Sequence, residues 1–597
     1  MKISIVTPSQ ESRYGSLLLL KEMIKEQTAY KKIGEWVLID GTKNQKGKFD
    51  LFRLQEDFVP KIRIISWEQN CKIGRLRNKV NNAATGDLLI CMDDDDYYPN
   101  IMIEKVIEAF EKNPTKLICG CTDTYMYDLF ISRQFKFDTF GDKHAINSTM
   151  SFKKTYLENH KHDEKVDFGE EASFTNNFTE DIIQIAPEYT ANTICHHTNT
   201  YNKRILVTQF YNGAHAKLKE SSKNLIPKHY LKEMKTLYLK QTVSPYDIVY
   251  FGGASVPWSP KDKSIGGSEQ AIQYLSEKWV SMGYKVAVYN TITIAPAKHN
   301  GVDYYSWVEF PFYSKFKKLI IWRPCGMSCI FYAKINAEKI FWDLHDSPRN
   351  LHKPLYDKFL EYNSKLDRIM FKSNFHKSEF EMAGDIKLKD EQYAIIPNGL
   401  RTAEFTDTAG TVINGISRDK YRFCYCSCYT RGLENILRHI WPQIIAIEPR
   451  AELHIYYGMD LVQSAEFKKT ILELIALTPN VMNHNKKPLD IIAREKHIST
   501  FQLYFTNAQS EIDCISVREA VLCGCIPIIS KYGVFAERDG LQIDANIDDV
   551  NCLKEIGKFL GGLLNDETKI KQITENMKES TLCMDWSETA KEWIKLF

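Results

Sequence analysis

The feature that most constrains this chain is the run Asp93-Asp94-Asp95-Asp96 standing directly behind Leu88-Leu89-Ile90-Cys91-Met92. Five apolar residues in succession read as a strand buried on both faces, inside a parallel sheet covered by helices. Four adjacent carboxylates repel one another, so they are costly at a strand end unless a cation or solvent neutralises them. Such a strand delivers its C-terminal end to the edge where open α/β sheets hold ligands. That placement favours a divalent-metal site over a solvated loop or a structural calcium site.

The surrounding pattern extends the sheet. Strand patterns at residues 3–7, 36–40 and 62–66 alternate with helical patterns around 17–27 and 75–84, as in a parallel α/β unit. This unit closes in Ile194-Cys195-His196-His197 and the polar stretch 198–204, and a lysine-rich helical stretch over about 214–240 reads as a linker. At Tyr246-Asp247-Ile248-Val249-Tyr250-Phe251 a second α/β unit begins. Gly266-Gly267-Ser268-Glu269 follows, then a helix with Ile272, Leu275, Trp279 and Met282 at helical spacing. Strand patterns at 340–344, 368–371 and 393–396 continue it, and a further set lies at 422–427, 452–457, 502–505 and 526–529. The amphipathic end, Trp586 to Phe597, is suited to pack back across an interlobe cleft. A chain of 597 residues exceeds one core, and at roughly 150 residues per domain it predicts three or four compact units.

Composition narrows the partners. The 78 basic and 76 acidic residues leave net +2, which gives no electrostatic case for nucleic acid, so local charge must carry any phosphate binding. Hydrophobic residues at 44% indicate a globular chain, and without a run of 18 apolar residues no transmembrane segment is predicted. The N-terminus runs straight into a strand pattern without a secretory core, which predicts a cytoplasmic location with reduced thiols. Cys424, Cys426 and Cys428 alternate on one strand face and read as packing, since structural zinc favours Cys-x2-Cys spacing.

Thr7-Pro8, Asp40-Gly41, Arg75-Leu76-Arg77-Asn78 and the aspartate run with Pro99, in that order over residues 1–205, resemble glycosyltransferase family 2. The resemblance implies a single-lobed GT-A fold and a DXD motif holding Mn2+ or Mg2+. Hard carboxylate oxygens suit those ions, which neutralise charge on a leaving nucleoside diphosphate. Asp95 would be the principal metal ligand with Asp93 in support, and His196 or His197 a late imidazole ligand, the two not separable here. Thr7, Asp40, Arg77, Asp93 and Asp94 would bind the donor, although Ile39 stands where the family often has an aspartate. An inverting transfer also needs a base for the acceptor hydroxyl. Phe168-Gly169-Glu170-Glu171-Ala172-Ser173-Phe174 looks like the family's acidic pair, with Glu171 the expected base, Glu170 the fallback and Asp167 a weaker rival.

From Gly266 to the chain end a second resemblance emerges, to glycosyltransferase family 4 with its two-lobed GT-B fold. It rests on Gly266-Gly267-Ser268-Glu269, His345-Asp346, Ser373-Asn374-Phe375, Pro397-Asn398-Gly399, Arg431-Gly432 and the pair Glu511 and Glu519. Gly266 and Gly267 precede a helix, so their amides can approach a ligand closely. Arg431 at a helix start would counter diphosphate charge. By resemblance Glu519 binds the ribose hydroxyls, while Glu511 and His345 lie near the transferred sugar as candidate catalytic groups. Ser427-Cys428-Tyr429-Thr430 supplies no second basic residue ahead of Arg431, where relatives usually have one.

The expected architecture is therefore α/β, an N-terminal GT-A Rossmann-like domain followed by a two-lobed GT-B domain of two further Rossmann-like lobes. The expected boundaries are 1–213, a helical linker at 214–243, a first lobe at 244–410 and a nucleotide-sugar lobe with its terminal helix at 411–597. The expected function is a bifunctional enzyme with an inverting, metal-dependent N-terminal site and a retaining, metal-independent C-terminal site. Nucleotide sugars would be the donors, and a glycan on lipid, protein or polysaccharide the acceptor. In the alternative, one half, more readily the C-terminal one, is a non-catalytic carbohydrate-binding or scaffolding module.

Overall fold

The computed structural model describes residues 2–44, 46–67, 70–166, 168–211, 215–240, 242–262, 265–293, 297–330, 335–348, 357, 361–362, 364–406, 417–459, 462, 464–507, 511–544, 546–578, 580 and 582–597. Asp167 lies outside them. Two compact units emerge: unit 1 is Met1–Ser244 with Val308–Lys315 and Ser328–Asn336, and unit 2 is Pro245–Trp307, Phe316–Met327 and Ala337–Phe597.

Unit 1 contains strands β1 (Ile3–Ser9), β2 (Ile33–Asp40), β3 (Lys61–Trp67), β4 (Leu88–Cys91), β5 (Ile118–Gly120), β6 (Tyr125–Asp128), β7 (Arg133–Phe137), β8 (Ser151–Lys153), β9 (Ile183–Gln184), β10 (Asn192–Cys195), β11 (Leu218–Ser221) and β12 (Thr242–Val243). Its helices are α1 (Tyr14–Lys25), α2 (Leu51–Gln55), α3 (Ile73–Ala83), α4 (Met102–Lys112), α5 (Glu171–Phe174), α6 (Arg204–Tyr211) and α7 (Lys228–Tyr238). Seven strands form one sheet in the order β3-β2-β1-β4-β8-β5-β9, and four form a smaller one, β10-β6-β7-β11. β1 runs parallel to β2 and β4, whereas β8 is antiparallel to β4. Every residue of β1 and β4 is buried. Their uninterrupted apolar runs therefore belong to interior strands, as parallel sheets require. The aspartate run leaves the sheet at the C-terminal end of β4, between β1 and β8. Unit 1 is thus a GT-A-like α/β domain.

The lysine-rich stretch read as a linker is part of this unit. β11 pairs with β7, and α7 buries Tyr230, Leu231, Met234 and Tyr238 in the same core as Leu17, Leu20 and Ile24 of α1. Its lysines occupy the outer face, so charge-based reading saw a solvated segment where an amphipathic helix docks. A Cβ on Gly15 would meet the Leu237 side chain at 2.7 Å, which allows α7 to lie close against α1.

In unit 2 the first lobe continues with β13 (Ile248–Phe251), β14 (Val286–Asn290), β15 (Ala297–His299), β16 (Val302–Ser306), β17 (Ser314–Trp322), β18 (Asn336–Asp343), β19 (Arg368–Phe371) and β20 (Tyr393–Ile395), ordered β15-β16-β14-β13-β17-β18-β19-β20. The second lobe is a six-stranded sheet, β23-β22-β21-β24-β25-β26, of strands Asp419–Cys426 (β21), Glu452–Tyr456 (β22), Val481–Asn485 (β23), Ser499–Tyr504 (β24), Ile526–Ser530 (β25) and Leu541–Ile543 (β26). Its strands pair in parallel. These are two further Rossmann-like lobes, the GT-B arrangement. The terminal helix Trp586–Ile594 returns to the first lobe. Trp593 packs edge-on to Trp279, with ring centroids 5.8 Å apart, in the core that also holds Ile272 and Leu275. Among the described residues no helix is long and apolar enough to cross a membrane.

Candidate functional site

The C-terminal ends of β1 and β4 open into a cavity of about 470 Å³ in unit 1, lined by all four aspartates, Arg13, Arg77, Glu170, Glu171 and Lys203. Each aspartate is engaged, two of them by the same arginine. Arg77 Nη1 and Nη2 donate to the two oxygens of Asp93 at 2.8 and 2.9 Å, and its Nε donates to Glu170 Oε1 at 2.7 Å. Arg13 Nη1 lies 2.9 Å from Asp94 and 3.0 Å from Asp95. Asp96 accepts from the Ile194 amide at 2.9 Å and faces Lys203 at 3.5 Å. Six carboxyl groups thus meet three cations. Burial, with Asp95 beside it, raises Asp94 above the usual carboxylate range, and burial does the same to Asp96. Burial also opposes charge on Asp95, but Arg13 and the hydrogen bond from His196 hold it well below that range.

His196 rather than His197 joins the cluster. Its Nε2 stands 3.2 Å from Asp95 Oδ2, and Asn199 Nδ2 approaches both groups, at 3.2 Å from Asp95 Oδ2 and 3.0 Å from His196 Nε2. Burial lowers the imidazole to about 4, so it is neutral and able to ligate. Tyr238 of α7 stacks on it with centroids 3.8 Å apart and bonds Ser16 at 2.5 Å. His197 is exposed. Asp93, expected to support the metal, is engaged by Arg77. Among the described residues no three His, Cys, Asp or Glu side chains form a metal cage. The donor set nevertheless fits one ion: one carboxylate oxygen, one neutral imidazole nitrogen and an excess of negative charge suit Mn2+ or Mg2+, which take their remaining ligands from water and phosphate.

The acidic pair is split by its surroundings. Gly169, at φ +72° with open space where a Cβ would stand, turns the chain into α5. Glu170 points inward to Arg77 and Asn147. Glu171 opens α5 and lines the cavity, and burial followed by repulsion from Glu170 raises it to about 7. Such a carboxyl can take a proton near neutral pH.

Two expected donor contacts are occupied elsewhere. Thr7 is fully buried, its hydroxyl donating to the Met92 carbonyl at 2.6 Å and accepting from Trp36 Nε1 at 3.0 Å. Asp40 is spent on its own loop, accepting from the amides of Thr42 at 2.9 Å and Gly47 at 2.7 Å. Neither lines the cavity, because both side chains face the sheet or the loop behind it. Arg13, Asn199 and Lys203 escaped the sequence reading. Arg13 follows the first strand at the ligand edge, where a lone cation was the available signal; the other two lie in the polar stretch taken as a domain end.

In unit 2 the expected residues are paired among themselves. Arg431 forms an ion pair with Glu511, which also accepts from Tyr504 at 3.0 Å. Gly432, at φ +90°, leaves no room for a Cβ against the Phe505 carbonyl and so allows the turn carrying Arg431 to approach β24. Glu519, in the helix Ile515–Leu522, accepts from fully buried Lys496 at 2.7 Å. His345 Nε2 lies 2.9 Å from Asp343, which also accepts from Lys372 at 2.6 Å, and burial lowers the His345 pKa. Gly266 and Gly267 open the helix Gly267–Ser281, and a Cβ on Gly267 would reach Ile515 of the second lobe at 3.6 Å. Ser373 caps its helix and donates to the Ile512 carbonyl at 2.7 Å, while the Asn398 amide donates to Asp513 at 3.0 Å. Those two motifs join the lobes. Lys496, Asp343 and Lys372 carried no signal in the sequence, since only the fold brings them to their partners.

Comparison with curated proteins returned no match. Among solved structures, the chain is similar to HepE of Anabaena in complex with UDP and glucose at 13% identity and TM-score 0.44, over 59% of this chain and 98% of that one. It is similar to the sucrose-phosphate synthase of Thermosynechococcus elongatus at 14% and 0.46, over 59% and 98%. A third is the UDP-forming α,α-trehalose-phosphate synthase of Burkholderia vietnamiensis, at 11% and 0.42, over 60% and 99%. The family model for glycosyl transferase family 2 matches residues 5–176, a stretch that holds β1, the aspartate run and the acidic pair. A glycosyl transferase family 2 domain therefore occupies the N-terminal part of this chain, and the protein is a glycosyltransferase.

Proposed function

We propose that the unit 1 cavity is an inverting, metal-dependent transfer site using a nucleotide-sugar donor. The observation that carries this reading is the charge imbalance around Asp95: a neutral His196 and an ionised Asp95 at 3.2 Å within an excess of carboxylates. Asp95 and His196 would hold Mn2+ or Mg2+, and the ion would neutralise the departing nucleoside diphosphate. Arg77 fixes Asp93 and Glu170 along the cavity wall through its hydrogen bonds to both, with Arg13 and Lys203 bordering the diphosphate position. Glu171 takes the proton from the acceptor hydroxyl as its oxygen bonds to the anomeric carbon and the carbon–phosphate oxygen bond breaks. Raised to about 7, it is basic enough to accept that proton and near enough neutrality to release it afterwards.

Unit 2 would hold the second, retaining and metal-independent site. Arg431 would face the diphosphate, Glu519 the ribose, and Glu511 and His345 the sugar, with the Gly266 and Gly267 amides close to the ligand. A glycan on lipid, protein or polysaccharide would receive both sugars in a cytoplasmic setting, and the tethered sites would keep the intermediate at high effective concentration. One observation favours the alternative of a non-catalytic sugar-binding second half: Arg431 and Glu511 already neutralise each other. The deciding experiment screens the purified chain, Asp95→Ala and Glu519→Ala against a nucleotide-sugar panel for nucleotide release, with and without EDTA. Two donors, one lost in EDTA and one lost in Glu519→Ala, support both sites. A single EDTA-sensitive donor supports the alternative, and EDTA-insensitive turnover throughout overturns the metal assignment.

A further inference from the structure

Outside the cavity, one short segment of unit 1 exposes several large apolar side chains. α2 turns Leu54 inward, where it is fully buried beside buried Phe58, yet holds Phe52 at 85% exposure and Leu51 at 43%, and Val59 in the segment just after the helix is 86% exposed. Phe52 and Val59 are the two most exposed large apolar side chains among the described residues. The segment is built, not frayed. Asp50 caps α2 by accepting from the Arg53 amide at 3.0 Å, Tyr30 accepts from the Val59 amide at 2.9 Å, and Gln55 donates to the Phe58 and Pro60 carbonyls at 2.6 and 3.0 Å. Ordered exposure of this kind asks for an apolar medium.

Charge names that medium. Lys43, Lys46, Lys48, Arg53 and Lys61 are exposed along the same segment, with Lys31 and Lys32 beside Tyr30, against Asp50, Glu56 and Asp57. The chain as a whole is nearly neutral, so this cationic rim is local. A nucleic acid or acidic polysaccharide would satisfy the lysines and leave Phe52 and Val59 in water. A neutral apolar partner would do the reverse.

We propose that this face of unit 1 docks on an anionic lipid surface, Phe52 and Val59 entering the interface and the lysines lying at the head groups. The surface is coupled to the cavity. Asp40 holds the loop carrying the lysines, the Gly41 amide donates to the Ser9 carbonyl at 2.7 Å, and Ser9 Oγ donates to Asp94 at 2.5 Å. Docking would therefore set the aspartate cluster one loop away from a lipid-borne acceptor, and it stands independently of whether transfer occurs.

Cosedimentation of the full chain tests this with phosphatidylcholine vesicles containing about one third phosphatidylglycerol, and with phosphatidylcholine alone. The wild type is expected to sediment with the anionic vesicles only, and less as salt is raised. Phe52→Ser with Val59→Ser, and separately Lys43→Glu, Lys46→Glu and Lys48→Glu together, should each lower partitioning roughly tenfold or more. Unfolding midpoints report that the variants remain folded. A wild type that stays in the supernatant, or variants that sediment like it, overturns the proposal. So does light scattering that shows a dimer broken by Phe52→Ser and Val59→Ser, which would assign the face to a second copy of the chain.

Discussion

The two candidate sites use acidic side chains in opposite ways. In unit 1 carboxylates outnumber cations, Asp94 and Asp96 are raised by burial, and Glu171 sits at about 7. In unit 2 each expected glutamate already has a cation, Glu511 with Arg431 and Glu519 with Lys496. The first arrangement stores electrostatic demand that a metal would relieve; the second is self-neutralised, so a ligand there must compete with internal pairs. Buried pairs of the second kind stabilise little net and become costly mainly when one partner is lost. A sugar-nucleotide motif therefore reads differently according to what faces it.

The sharpest way to break this contrast is Asp95→Ala. Removing the carboxylate should lower metal-dependent transfer by roughly a thousandfold, the kinetic equivalent of several kcal/mol, and leave any unit 2 reaction intact. Product mass spectrometry with each donor checks it, and a loss of both additions would argue for one composite site.

Next comes Glu519→Ala, which strands the fully buried Lys496 ammonium and should cost about 3 kcal/mol of stability in denaturant unfolding. Lys496→Met with Glu519→Leu should recover most of that stability without recovering the second addition, which separates a structural pair from a ligand contact. Recovery of the addition would remove Glu519 from the ribose role.

Glu171→Gln should lower the unit 1 rate about a hundredfold while donor affinity holds, whereas Glu170→Gln should act mainly on stability through Arg77. The wild-type rate should rise with pH through about 7, as the base ionises. Stability moves the other way. With a folded pKa above the unfolded one, the stability this carboxyl contributes is full below the unfolded value and is lost as pH rises through about 7. Glu171→Gln should therefore melt higher than wild type at alkaline pH and not at acid pH. A crippled Glu170→Gln with normal unfolding would move the base to Glu170.

The smallest effect expected is the coupling between Arg431 and Glu511. The arginine side chain is 36% exposed, so solvent screens the pair, and a double-mutant cycle should return about 0.5 kcal/mol. A coupling of several kcal/mol would mean the pair is locked shut, favouring the non-catalytic second half.

The strand segments and the position of the aspartate run were legible because interior parallel strands need uninterrupted apolar runs, and 88–92 is such a run. α7 was misread for the complementary reason: its lysines dominate composition while Tyr230, Leu231, Met234 and Tyr238 reach the core. Thr7 and Asp40 stand where the motif predicts them in sequence, but a motif position does not say which way a side chain turns. That His196 reaches Asp95 while His197 is exposed, and that Glu170 turns to Arg77 while Glu171 is the one raised to about 7, reflects the fact that neighbouring residues cannot share one orientation.

The amino-acid sequence by itself determined the α/β periodicity, the local excess of negative charge at the end of one buried strand, and the succession of two motif sets, since these depend on order along the chain. Only the tertiary structure decided which cation answers each carboxylate. Arg13 meets Asp94 and Asp95 across 81 and 82 positions, Arg77 meets Glu170 across 93, and Lys496 meets Glu519 across 23. Ionisation in a buried cluster depends on distances of a few ångströms, and folding alone sets those distances.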